Sequence, residues 1–119
     1  MVPLARPRLD FRISGALHIN ETAYGPDHPE VAATLKHLAM VVRDLGEPGT
    51  ARPLLERALH INETAYGPDH PCVASTLNNF AEVVRDLGEP GTARPLLERA
   101  LHINETAYGP DHPASVRVR

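Results

Sequence analysis

Residues 16–57 read ALHINETAYGPDHPEVAATLKHLAMVVRDLGEPGTARPLLER, and residues 58–99 read ALHINETAYGPDHPCVASTLNNFAEVVRDLGEPGTARPLLER. A third copy begins at Ala100 and holds to Pro113. The period is 42 residues. Self-similarity at such a period marks one supersecondary unit stacked on itself, because a single unit cannot bury its apolar face alone. Each unit carries two helical patterns joined by short breaks, so neighbouring helices run antiparallel and the fold class is an all-α solenoid of helix pairs.

Gly25-Pro26 ends one helix, since glycine supplies a left-handed residue and proline cannot continue the turn. Asp27 is placed to cap the next helix, with Glu30 three residues on as in a capping box and Pro29 in the first turn. Val31, Leu35, Leu38, Val42 and Leu45 form its apolar stripe, with Ala32 and Ala39 beside them, and Gly46 stops it. A second helix then runs to Tyr66, with Ala51, Leu54, Leu55, Ala58, Ile61 and Ala65 facing inward. Pro53 is harmless if this helix starts at Thr50 or Ala51, and removes one backbone bond if it starts at Pro48.

The same pattern predicts helices from about Pro71 to Leu87 and from about Pro90 to Tyr108. Residues 9–24 read as an orphan helix of the second type, and residues 1–8, with two prolines, as a disordered segment. The repeat domain therefore spans 9–113, with the orphan helix at 9–24 and helix pairs at 28–66 and 70–108, about five helices. Residues 114–119 abandon the repeat as a divergent tail.

Leu35, Leu38, Ala39, Val42, Ala51, Leu55 and Ala58 alternate large and small side chains as the tetratricopeptide signature does, and Leu77, Phe80, Ala81, Val84, Ala93, Leu97 and Ala100 repeat the series. With "YGPDHPxVAxTL", "LNNFA" and "ARPLLERAL", and a 42-residue period that lengthens the second helix, the chain resembles the kinesin light chain and nephrocystin type of tetratricopeptide repeat. Pro48 departs from the family, which often has an aromatic there. The resemblance implies a scaffold that binds a peptide or protein segment on a concave groove lined by the first helix of each pair. It implies no catalysis.

The rest of the composition excludes other classes. A net charge of −3 and the absence of a basic face or recognition motif argue against nucleic acid, and 4% aromatics without Trp supply no stacking platform. No apolar run approaches the ~18 residues that span a bilayer. The start lacks the apolar core of a signal peptide, and the single cysteine, Cys72, forms no intrachain disulfide. These features point to a soluble, cytoplasmic protein with no membrane partner. Six of the seven histidines are repeat copies a full period apart and do not converge on one ion, so neither metal nor cofactor is expected. The Asn-Glu-Thr triplets at 20–22, 62–64 and 104–106 lie inside helical patterns and are not read as glycosylation sites.

The two full units differ at six positions, all on the first helix: Glu30/Cys72, Ala33/Ser75, Lys36/Asn78, His37/Asn79, Leu38/Phe80 and Met40/Glu82. Ala33, Lys36, His37 and Met40 share one helix face by their spacing, and Arg43 continues it with Asp44 at the edge. Ser75, Asn78, Asn79, Glu82, Arg85 and Asp86 repeat that face. The alternative for such a face is plain solvation, where substitutions change little. As a groove, it offers Asn78 and Asn79 to a peptide backbone through amide donors and acceptors, and Lys36, Arg43 and Arg85 to carboxylates. Asp44 and Asp86 temper that charge by pairing with nearby arginines. The solenoid ends carry a second expectation. Leu97, Leu101 and Phe11 lack the cover that a further unit supplies, which favours a homo-oligomer through the ends.

Overall fold

His28, not Asp27, caps the first helix. In the computed structural model, which describes Gly25 and residues 27–109, its Nδ1 accepts from the Glu30 amide at 3.0 Å. His70 does the same for Cys72, also at 3.0 Å. The carboxylate expected as the cap stands one residue too early: the cap position, with extended backbone, falls on His28 and on His70. Pro29 and Pro71 open the first turns, where a missing N–H leaves nothing unpaired.

Four helices follow from these starts: α1 (Pro29–Asp44), α2 (Pro48–Tyr66), α3 (Pro71–Asp86) and α4 (Pro90–Tyr108). The expected disordered segment 1–8, the orphan helix 9–24 with Phe11, and the tail 114–119 lie outside the described residues. No strand occurs among the described residues. α1 ends in a pair of reversed bonds, Gly46 N–H to the Arg43 carbonyl at 2.9 Å and Glu47 N–H to the Val42 carbonyl at 3.0 Å. This closure needs a left-handed residue, and Gly46 adopts φ 86°. Gly88 closes α3 identically. α2 starts at Pro48, so Pro53 falls inside the helix and withholds an N–H from the Gly49 carbonyl.

α1 packs on α2, α2 on α3 and α3 on α4, while the backbones of α1 and α3 also approach and those of α2 and α4 do not. A stack whose first-type helices touch while its second-type helices stay apart curves toward the first type. α1 and α3 lie side by side along one face of the stack. The core has three parts. Val31, Ala32 and Leu35 meet Ala58 and Ile61 within the first pair. Val73, Ala74 and Leu77 meet Ala100 and Ile103 within the second. Between them, Ala39, Val42, Ala51 and Leu55 pack against Phe80, Ala81, Val83, Val84 and Ala93, joining the two units. Each large side chain so buried contributes about 1.5–3 kcal/mol.

Three details of the expected apolar faces change. Leu45 is 57% exposed, whereas its counterpart Leu87 is partly buried at the junction, because the described residues place no unit against the outward side of α1. Ala65 is exposed. Asn62, on the neighbouring part of α2, is buried in its place, since the next unit covers that side. Its Nδ2 donates to Thr76 Oγ1 at 3.1 Å, and that hydroxyl donates onward to the Cys72 carbonyl at 3.1 Å. The polar group is admitted to the interior because it is paired.

Candidate functional site

α1 and α3 lie side by side, so residues of the two first helices meet across the junction. Lys36 Nζ donates to Ser75 Oγ at 2.9 Å. Arg43 Nη1 donates to Glu82 Oε1 at 2.9 Å, and Arg43 Nε donates to Asp86 Oδ2. The hydrogen bond from Arg43 holds the Asp86 carboxyl below the usual carboxylate range. The same contact raises the Arg43 guanidinium further above neutrality. The side chains of Arg43, Glu82 and Asp86 remain partly exposed, so solvent screens the pairs.

These contacts give half of the unit-to-unit differences a role within the chain. Lys36, Ser75 and Glu82 each sit at a differing position and each bonds across the junction. Their counterparts Asn78, Ala33 and Met40 make no such bond. Arg43 and Lys36 are thus engaged by the second unit. Asp86 pairs with Arg43 of the other unit rather than with its neighbour Arg85.

The other expected residues stay open to solvent in different degrees. Ala33, His37, Asp44 and Arg85 are exposed, and Met40, Asn78 and Asn79 are half-buried. Arg85 has no ion pair among the described residues. Asn78 Oδ1 is fully buried and has no hydrogen-bond donor. A recess of about 160 Å³ opens at the start of this face, lined by Pro29, Ala33, Lys36, Asn62, Tyr66 and Cys72 among others. Ala33 and Lys36 alone of the expected face residues reach it. No group of three or more His, Cys, Asp or Glu side chains gathers among the described residues.

Comparing the units by their differences could not find contacts made by residues that both units share. Arg52 Nη1 reaches Glu89 Oε2 at 3.0 Å, and Arg99 Nη2 reaches Glu63 Oε2 at 2.7 Å. The signal available was an arginine on one second-type helix and a glutamate on, or just before, the other, at positions identical in the two full units. No helix among the described residues is long and apolar enough to cross a membrane. Set against protein families, the chain matches the tetratricopeptide repeat in two overlapping stretches, residues 14–64 and 37–106. No curated protein matches it.

Proposed function

The chain belongs to the tetratricopeptide repeat family, whose repeats generally mediate protein–protein interaction, and we propose that it binds an extended peptide or protein segment across the inner face of α1 and α3. The observation that carries this reading is the Asn78 carbonyl oxygen, buried and without a donor. An acceptor left in that state costs about 1–3 kcal/mol. Turned outward from its half-buried position, the Asn78 amide exchanges that state for a bond from the backbone N–H of an incoming segment, so the interaction is worth most when the ligand is present. Asn79, half-buried beside it, offers both amide functions to the same backbone.

Charge plays the smaller part in this recognition. Arg43 is already paired with Glu82 and Asp86, and Lys36 with the Ser75 hydroxyl. A segment gains its side-chain contact in the recess beside Ala33 and Lys36. The 42-residue period and the "LNNFA" run favour the kinesin light chain and nephrocystin type within the family. The test is selection of binders from a random-peptide display library on the immobilised chain. Asn78→Ala with Asn79→Ala should weaken selected peptides by about 1–3 kcal/mol while the fold stays intact. Peptides that bind the double variant as tightly as the parent would remove the inner face from the account.

A further inference from the structure

The outer end of the second pair carries a groove of about 540 Å³, lined by Arg85, Ala93, Arg94, Leu97, Glu98 and Leu101 among others. The first pair has the same groove, with Arg43, Ala51, Arg52, Leu55, Glu56 and Leu59 at the corresponding positions. There it is filled. α3 packs against it with Phe80 and Val83, and Leu87 joins that cluster at its edge. Glu82 and Asp86 take Arg43, and Glu89 takes Arg52. The structure therefore states what such a groove accepts: a helix with a large apolar stripe, followed by acids placed to meet two arginines.

α1 has that composition. Leu38, Val41 and Leu45 stand where α3 has Phe80, Val83 and Leu87, while Asp44 and Glu47 stand where it has Asp86 and Glu89. Val83 is wholly buried in the junction, whereas Val41 is 46% and Leu45 57% exposed. At the opposite end, Arg85 lacks an ion pair among the described residues, and Arg94 bonds only within its own helix, to Glu98 at 3.2 Å. Nothing among the described residues covers the groove. Apolar stripe and apolar groove, acids and arginines, are complementary and lie at opposite ends of the described residues.

We propose that the α3–α4 groove receives α1 of a second copy of this chain, in the register by which α3 sits on α1 and α2. Val41 and Leu45 of the incoming copy lie against Leu97 and Leu101, Asp44 meets Arg85, and Glu47 meets Arg94. Met40 stands where Glu82 does, so this joint has one carboxylate fewer than the one inside the chain. The two surfaces differ, so the contact is heterologous and repeats head to tail.

Sedimentation velocity of the full chain, from micromolar to several hundred micromolar, is the test. The expected result is a mass that rises with concentration. Val41→Glu spoils only the stripe and Leu97→Glu only the groove, so each variant alone stays monomeric. Mixed one to one they keep one good joint, and the mixture should reach twice the monomer mass and stop. If Leu97→Glu loses its helical circular dichroism, Arg85→Glu, on an exposed side chain, replaces it. A parent chain that remains monomeric throughout overturns the proposal. So does association that the mixture fails to restore, which indicates pairing of like ends. Association that appears only after residues 110–119 are deleted overturns it too, in favour of the chain's own tail as occupant.

Discussion

The imidazoles of His28 and His70 do work usually given to a short hydroxyl or carboxylate, accepting a helix-start amide two residues on. His70 also stacks on Tyr66, with ring centroids 4.4 Å apart. His70→Ala should therefore cost about 0.5–2 kcal/mol in urea melts. His70→Asn should recover most of this, because asparagine caps well. An asparagine variant as unstable as the alanine one would assign the effect to the ring stack instead. Asn78 has the opposite character. Its buried oxygen lacks a donor, and alanine is the better helix former, so Asn78→Ala should stabilise the fold by about 0.5–2 kcal/mol. A loss of stability in the same melts would show that the side chain is held by something other than a ligand.

At the scale of helices, the polar link between α2 and α3 is the most exacting contact. Asn62 and Thr76 are both buried, and each depends on the other. Thr76→Val keeps the shape but leaves the Asn62 amide without its acceptor, and should cost about 1–3 kcal/mol. Adding Asn62→Leu should restore part of that, since removing both partners is far less costly than removing one. If the double variant is no more stable than the single, the hydroxyl matters through the Cys72 carbonyl rather than through Asn62. Helix extents were legible in the sequence, because the stop glycines and the spacing of Leu35, Ala39 and Val42 are local signals. Asn62 was not. Its burial depends on the unit that follows, and a pattern read along one helix assigned that place to Ala65. The face of α1 and α3 that carries the differing positions was legible as one helix face in the sequence. Its pairings were not, because Lys36 meeting Ser75 depends on how far one unit rotates relative to the next.

At the scale of the whole molecule, the two described helix pairs are held together by an apolar junction and by Arg43 reaching two carboxylates of the other unit. The Asp86 carboxyl titrates below its ordinary value because of the hydrogen bond from Arg43. A carboxyl lowered by folding adds stability that is complete above its unfolded value, about 3.9. That stability is lost as pH falls below about 3.9 and through the folded-state value. Asp86→Asn should flatten the pH dependence of urea stability in that window and leave its slope at neutral pH unchanged. The same slope in parent and variant would mean that solvent screening removes the pair's contribution.

α2 and α4 are the same 19-residue peptide, Pro-Gly-Thr-Ala-Arg-Pro onward to Tyr, written twice in one chain. Nature has thus supplied an internal control. Intrinsic amide exchange depends on local sequence, and within these helices that sequence is identical. Any difference in protection between paired amides reports neighbours alone. α2 packs along both α1 and α3, whereas the backbone of α4 packs only along α3 among the described helices, with the Arg99–Glu63 pair linking it to α2. Amides of Leu55 to Ile61 should exchange more slowly than those of Leu97 to Ile103 in dilute solution. Raising the concentration should close the gap if a second molecule comes to occupy the open side.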